Sequence, residues 1–179
     1  MYYKTNYSSP VGLIMIVSDK DNIVGLWIEN QKYYSGNIKD EMVTDDNLPI
    51  FSLAKKWLDR YFKGEKPDIS ELPLAPNGGD FRQEVWSILC EIPYGECITY
   101  GDIAKKIAKK RGKEKMSSQA VGGAVGHNPI SIIIPCHRVV GTNGNLTGYA
   151  GGIDKKIKLL KHEGLDMSKF SIPTKGSAI

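Results

Sequence analysis

An α/β (α+β) chain in two parts is what this sequence predicts: a small strand-rich unit with one helix at 1–76, a mainly helical unit at 77–165, and a tail at 166–179. Three observations carry the expectation. Runs rich in β-branched and aromatic residues, broken by turn signals, fill the first thirty positions and read as strands. From about position 49 onward, apolar residues recur at helical spacing. Between the two parts, the stretch from Leu72 to Asp80 (Leu-Pro-Leu-Ala-Pro-Asn-Gly-Gly-Asp) has the composition of a linker.

Taken in order, strands are expected at 2–7, 11–18 and 22–28, divided by Ser-Ser-Pro-Val-Gly and Asp-Lys-Asp-Asn turns. Residues 31–47 are polar and read as loop. Phe51, Ala54, Trp57, Leu58, Tyr61 and Phe62 share one helical face, so an amphipathic helix is expected over about 49–63, ended by Gly64 and Pro67. In the second part, Asp80 with Gln83 resembles a capping box opening a helix with Phe81, Val85, Trp86 and Leu89 on one side. Thr99 and Asp102 form another cap, stapled by Ile98 and Ile103, for a helix reaching about Lys110. A basic loop follows, and Ser117 or Ser118 caps a short helix ending at Gly126, which gives the outline of a helix-turn-helix. The Ile-rich run at 130–134 reads as an apolar strand leading into Cys136. A Gly/Asn-rich loop at 141–152 and a helix over about 154–162, closed by Gly164, complete the unit. The tail has no role legible in its sequence.

At 179 residues the chain can build one good core or two small ones. No apolar stretch approaches the ~20 residues of a membrane helix, and the start MYYKTNYSS carries no secretion signal. Three cysteines without framework spacing suit a reducing compartment, so a soluble cytoplasmic protein is expected. The net charge of +4 is unevenly spread: residues 1–79 hold 9 Lys/Arg to 11 Asp/Glu, residues 80–164 hold 13 to 8. The basic excess lies in the second part, as expected of a unit that meets a polyanion.

The chemistry concentrates in Pro135-Cys136-His137-Arg138-Val139. A thiol is a nucleophile as thiolate, and neighbouring positive charge lowers its pKa toward neutrality, so the flanking His137 and Arg138 argue for a reactive Cys136 over a merely structural one. Sequence neighbours on a strand point to opposite faces. His137 therefore serves Cys136 only if the chain turns sharply at Pro135 or a water relays the proton. Such a base needs an orienting acid, and Glu163 in His162-Glu163-Gly164 is the candidate, although a carboxylate at a helix C-terminus opposes the helix dipole. Cys90 and Cys97, spaced C-x6-C with no nearby His, read as structural, and His127 and His162 as satisfied or solvated. Gly122 and Gly123 inside a helix cost about 1 kcal/mol each relative to Ala. They imply a close approach, by a nucleic-acid backbone or by a neighbouring helix. Lys105, Lys106, Lys109, Lys110, Arg111, Lys113 and Lys115 form a basic run suited to phosphate contact.

Together these residues resemble the O6-alkylguanine-DNA alkyltransferase family. The resemblance rests on Ile133-Ile134-Pro135-Cys136-His137-Arg138-Val139-Val140, supported by Phe81…Val85-Trp86, Gly95…Thr99-Tyr100, Ala120-Val121-Gly122-Gly123-Ala124, Asn128-Pro129, Gly148-Tyr149-Ala150-Gly151-Gly152 and His162-Glu163-Gly164. It covers about 80–164; the first 75 residues are similar only in coarse pattern to the family's ribonuclease-H-like domain. The resemblance implies a flipped nucleotide, with Glu163 orienting His137, His137 taking the Cys136 proton through a water, and the thiolate displacing the alkyl group from guanine O6. It further implies that Tyr100 donates toward N3 of the base and Asn128 holds the turn before the cysteine. The backbone of Ala150 would contact O6, carbonyls near Cys136 and Val139 would read the exocyclic amine, and Tyr149 would line the pocket. DNA binding would fall to Gly101, Gln119, Gly122, Gly123, Arg138 and Thr142. The implied partner is double-stranded DNA carrying O6-alkylguanine (O4-alkylthymine less readily), bound through the minor groove by a monomer, with no cofactor, each molecule acting once.

The sequence departs from the family pattern in three places. Gln119 stands where the family usually has an arginine that fills the gap left by the flipped base. Ala150 replaces a common Ser, and the segment from Tyr100 to Gln119 is longer and more basic. No cysteine precedes Cys90, so the zinc ligands of some relatives have no counterparts and no metal is expected. The rival readings are a non-catalytic binder of alkylated bases, a regulator using the helix-turn-helix, and a thiol hydrolase with a Cys-His-Glu triad, which would turn over.

Overall fold

The computed structural model describes residues 1–173, and these divide into two compact units. The first comprises Met1–Asn77 together with Pro129–Ile133. Its sheet runs β3-β2-β1-β4, from β1 (Tyr2–Ser9), β2 (Gly12–Ser18), β3 (Ile23–Ile28) and β4 (Met42–Thr44). The first three form an antiparallel meander, and β4 adds parallel to β1, Tyr3 opposite Val43. The Asp19 carboxylate accepts the backbone N–H of Asp21 (3.0 Å) and of Asn22 (2.7 Å), the side-chain device that tightens such a turn. Helix α1 (Pro49–Phe62) starts with Pro at its first turn, where the missing N–H costs nothing. It buries Ile50, Phe51, Ala54, Trp57, Leu58 and Tyr61, and Gly64 ends it at φ +86°. The strand β4 lies inside the polar stretch expected as loop; three residues with only one partly buried side chain give no periodicity to read.

The start of the expected linker pairs with β3: Ile23 donates to the Pro73 carbonyl at 2.8 Å, and Ala75 donates to that of Ile23 at 2.9 Å. The expected strand at 130–134 is not one. Only Ile130 makes a bridge, to Leu26, through Leu26 N–H to Pro129 O (2.8 Å) and Ser131 N–H to Leu26 O (2.9 Å). The chain then bends at Ile132, whose φ of +71° is rare for a β-branched residue, and Ile133 N–H donates to Ser131 O at 2.8 Å, a γ-turn. All four isoleucines of the run are buried, so apolarity alone could not tell strand from buried turn.

The second unit comprises Gly78–Asn128 and the described residues from Ile134 onward. Helix α2 (Asp80–Cys90) is not capped as expected: Gly79 is its N-cap and Asp80 is already its first residue. Trp86 is buried and donates from Nε1 to the Ala124 carbonyl at 2.9 Å. The short strand β5 (Ile98–Thr99) leads into α3 (Tyr100–Lys110), and here the capping box forms: Asp102 N–H donates to Thr99 Oγ1 (3.0 Å), Thr99 N–H to Asp102 Oδ2 (3.1 Å). Ser117 caps α4 (Ser118–Gly126), accepting from Ala120 N–H at 3.1 Å. α3 packs against α4, joined by residues 111–117, and α2 contacts both. Strand β6 (Val139–Val140) pairs parallel to β5, and α5 (Ile153–His162) follows, with Gly164 in the left-handed region at φ +84°.

The start of the tail is structural. Ser171 N–H donates to Gly144 O (3.0 Å) and Leu146 N–H to Ser171 O (2.9 Å). Met167 and Phe170 pack on a cluster of Val140, Leu146 and Leu160. Residues 174–179, the rest of the expected tail, lie outside the described residues. Phe170 is half-buried, so Phe170→Ala is expected to lower stability by about 1–2 kcal/mol. Urea unfolding of the two proteins checks it, and an unchanged midpoint would contradict the docking.

Candidate active site

All the groups around Cys136 belong to the second unit. Cys136–Arg138 form a single 3-10 turn rather than the end of a strand. Pro135, at φ −82° and ψ +64°, makes an inverse γ-turn in which Cys136 N–H donates to Ile134 O at 2.8 Å. The sharp bend at Pro135 is thus present. Asn128, 4% exposed, braces it by donating from Nδ2 to the same Ile134 carbonyl at 2.8 Å. After the turn β6 runs beside β5, which brings Tyr100, next after β5, into the same region.

His137 is wholly buried, and its Nε2 is in a short hydrogen bond with Glu163 Oε2. The second carboxylate oxygen, Oε1, accepts from Arg138 Nε at 2.7 Å and from Gly95 N–H at 3.1 Å. Burial pushes the Glu163 carboxyl up, but the hydrogen bonds from His137 and Arg138 and the Arg138 charge outweigh it and bring the pKa down to about 2. Glu163 is therefore ionised and can only accept, so His137 Nε2 carries the proton of that bond. Its Nδ1 then bears a lone pair; that atom is buried with no hydrogen-bond partner among the described residues. Burial also lowers the His137 pKa, against the pull of Glu163 and with the help of Arg138 and Lys156, so the ring rests neutral.

The thiol differs from the expectation. Cys136 is 5% exposed and its pKa is raised, chiefly by burial, with the Asn128 hydrogen bond, the Lys156 charge and local N–H groups opposing. The flanking cations do not lower it, because Arg138 is committed to Glu163 and His137 is neutral. Nor does Arg138 present itself at the surface as expected of a DNA contact. It is 7% exposed, its Nη1 donates to Ile92 O at 2.6 Å, and its guanidinium lies 5.7 Å from the centre of the Tyr94 ring.

Lys156 is the residue the sequence analysis missed. It is fully buried in α5, donating from Nζ to Val139 O (2.5 Å) and Thr147 O (3.0 Å), and burial lowers its pKa to about 8. The signal was there: Lys156 shares a helical stripe with Leu159, Leu160 and Glu163, all buried. Tyr100 donates its hydroxyl to the same Thr147 carbonyl at 2.8 Å, and burial raises its pKa. The Val139 carbonyl, expected to read the substrate's amine, is already an acceptor for Lys156. Tyr149 is 4% exposed, and its hydroxyl has no partner among the described residues. Gly148, at φ +80°, could carry no Cβ, which would fall 2.6 Å from the Tyr100 hydroxyl. Ala150, next in this loop, is partly buried.

The residues expected to touch DNA other than Arg138 sit toward solvent: Gln119, Gly123 and Thr142 are exposed, Gly101 and Gly122 partly so. A Cβ at Gly123 would meet nothing within 4 Å, and one at Gly122 only the Tyr100 ring at 3.9 Å, so helix packing does not require the pair. Arg111 is held by Glu84 (3.0 Å) and lies over Phe81, whereas the lysines of the basic run are exposed.

Comparisons with known proteins agree with one another. Residues 1–76 match the family described as 6-O-methylguanine DNA methyltransferase, ribonuclease-like domain, and residues 80–165 match its DNA binding domain. The chain is 43% identical over 161 residues to a methylated-DNA–protein-cysteine methyltransferase of Haemophilus influenzae, covering 90% of this chain and 86% of that one. A protein of the same name from Methanosarcina acetivorans is 45% identical over 166 residues, covering 92% and 99%. Among solved structures, the O6-methylguanine methyltransferase of Mycobacterium tuberculosis matches with a TM-score of 0.75 at 39% identity over 91% of this chain and 93% of that one. The same organism's protein in complex with DNA matches at 0.76 and 37%, covering 94% of each.

The depressed Glu163 pKa links stability to pH. A carboxyl at about 2 in the fold, against 4.5 ordinarily, contributes stability that is whole above pH 4.5 and is lost as pH falls toward 2. The expected loss is on the order of 3 kcal/mol. Urea unfolding of wild type and Glu163→Gln between pH 6 and 2.5 should show their stability difference shrinking; a constant difference would contradict the ionised, bonded carboxylate.

Proposed function

The chain belongs to the 6-O-methylguanine DNA methyltransferase family, and from that membership and the geometry around Cys136 we propose that it repairs DNA by moving an alkyl group from guanine O6 to its own cysteine. One observation carries the reading. His137 is pinned through Nε2 to an ionised Glu163, which leaves the Nδ1 lone pair buried in the same three-residue turn as the thiol. His137 takes the Cys136 proton, directly or through a water, and the thiolate attacks the alkyl carbon. The S–C bond forms as the C–O6 bond breaks, and the electron pair leaves with the base. The proton lost by the thiol ends on guanine N1, so the products are neutral guanine and a thioether. Because the thioether is stable, one molecule repairs one base.

Tyr100 fits the role of a donor to the leaving base at N3. Its raised pKa favours a donated hydrogen bond over outright loss of its proton. To make it, the hydroxyl turns from the Thr147 carbonyl to the substrate. Asn128 supports both the turn and the thiol. Tyr149, the Ala150 backbone and Val139 are read as lining the pocket. The partner is duplex DNA, approached through the minor groove by α4 with the lesion flipped out. The open space over Gly123, with no more than the Tyr100 ring near Gly122, supports close passage of a backbone there, with Gln119 read as filling the gap and Gly101 and Thr142 as further contacts. Every reacting group comes from one chain, so a monomer suffices. The thiols of Cys90, Cys97 and Cys136 are all free, as a reducing compartment such as the cytoplasm keeps them.

Incubation with duplex DNA carrying one O6-methylguanine is expected to add a single methyl to Cys136, stoichiometric with repaired base and absent in Cys136→Ala, by intact mass and peptide mapping. Lesion binding without modification would favour a damage sensor, and multiple turnovers a thiol hydrolase. The exposed lysines after α3 are read as phosphate contacts. Lys113→Gln with Lys115→Gln is expected to flatten the slope of log affinity against log salt by about 2. An unchanged slope would remove the basic loop from the interface.

A further inference from the structure

We infer that Arg138 is a positioning residue for the transfer: it holds one oxygen of Glu163 and cancels that carboxylate's charge, which keeps His137 an uncharged base for Cys136. The inference rests on the reading of His137 as the base.

The geometry divides the labour of the carboxylate. Oε2 faces His137, while Oε1 takes Arg138 Nε at 2.7 Å and Gly95 N–H at 3.1 Å. Arg138 is itself fixed from behind by the Ile92 carbonyl at 2.6 Å and by the Tyr94 ring. All three charged or titrating partners are buried: His137 at 0%, Glu163 at 6% and Arg138 at 7% exposure. In such surroundings a lone carboxylate beside an imidazole favours the imidazolium, since each charge then has its only counter-ion in the other. An imidazolium carries protons on both nitrogens and cannot accept one from a thiol. With the guanidinium already paired to the carboxylate, protonating His137 would add a net positive charge to a buried site. The other titratable groups acting on the ring or on its two charged partners work in the same direction or are neutral. From α5, Lys156 is a second cation acting on the ring; from the 94–97 segment, Tyr94 and Cys97 interact with Glu163 and Arg138, and burial raises both their pKa values, that of Cys97 to about 11. The lowered pKa of His137, to which burial and then Arg138 and Lys156 contribute against Glu163, agrees.

The test is the pH profile of the single-turnover transfer rate from O6-methylguanine DNA, for wild type, Arg138→Met and Arg138→Lys. The acid limb reports protonation of the base. Arg138→Met is expected to move that limb upward by at least about one pH unit, which is tenfold in rate at any pH below it. Arg138→Lys keeps a cation and is expected to return the limb to near its wild-type position, even if the plateau is lower. A uniform drop of rate at all pH with an unmoved limb in Arg138→Met would overturn the inference and leave Arg138 a merely structural residue. Should Arg138→Met fail to fold, 15N shifts of the His137 ring in the wild-type protein without DNA decide. A neutral ring protonated on Nε2 at pH 7 is expected, and an imidazolium would overturn the inference. No transfer by wild type at any pH would sink the function itself, an outcome the ring shifts distinguish because they need no reaction.

Discussion

The carboxylate of Glu163 is the point on which the rest of the site depends, because a buried negative charge must be answered from several directions at once. The answers come from separate parts of the second unit: His137 and Arg138 from the turn after Pro135, and Gly95 from the segment between α2 and β5. Each donor fixes the piece of chain that carries it. Gly95 is required there, at φ +79° with a Cβ that would sit 3.2 Å from the Glu163 carbonyl. Glu163 itself is the C-cap of α5, a poor place for a carboxylate on dipole grounds alone. Three donors, one of them a guanidinium, outweigh the dipole, whose contribution is below about 1 kcal/mol at most exposed sites.

Lys156 plays the complementary part for backbone. Its ammonium links the Val139 and Thr147 carbonyls, so the strand after the cysteine and the loop that carries Tyr149 are tied to α5. The Tyr100 hydroxyl shares the Thr147 acceptor, which draws the start of α3 to the same point. Electrostatically the resting site holds Glu163 against Arg138 and Lys156, a small positive excess. That excess favours a thiolate and disfavours an imidazolium, so the proton transfer proposed from Cys136 to His137 is helped at one end and opposed at the other. A base that gives its proton up readily is one the reaction can use, since the proton must finally return to guanine.

Much of this was legible in the sequence, for identifiable reasons. The Thr99–Asp102 box and the Ser117 cap follow from residue types at fixed offsets, a local rule that needs no tertiary contact. The Cys136, His137, Glu163 set was legible because Pro-Cys-His-Arg-Val and His-Glu-Gly are dense in chemistry. What was not legible depends on contacts distant in sequence. Arg138 reads as a surface cation until Ile92 and Tyr94 are seen to enclose it. The isoleucine run reads as a strand, because apolarity signals burial and not backbone path, and only Ile132 at positive φ reveals the turn. The two-residue strands β5 and β6 carry no period of their own, and Asp80 and Gln83 satisfy a capping pattern one residue out of register.

The state of Cys136 at rest follows from which of two opposed effects is larger. Neighbouring positive charge would lower the thiol pKa, and burial raises it; burial wins, because Arg138 is spent on Glu163 and only Lys156 acts from nearby. A neutral, 5% exposed thiol is a poor target for oxidants and stray electrophiles, whose attack follows thiolate character and access. For a protein that spends Cys136 in one event, that protection matters more than standing reactivity. On the proposed reading, activation is then a matter of geometry: the proton leaves when a bound electrophile makes the thiolate worth forming, and the buried, unpartnered His137 Nδ1 is the acceptor for it.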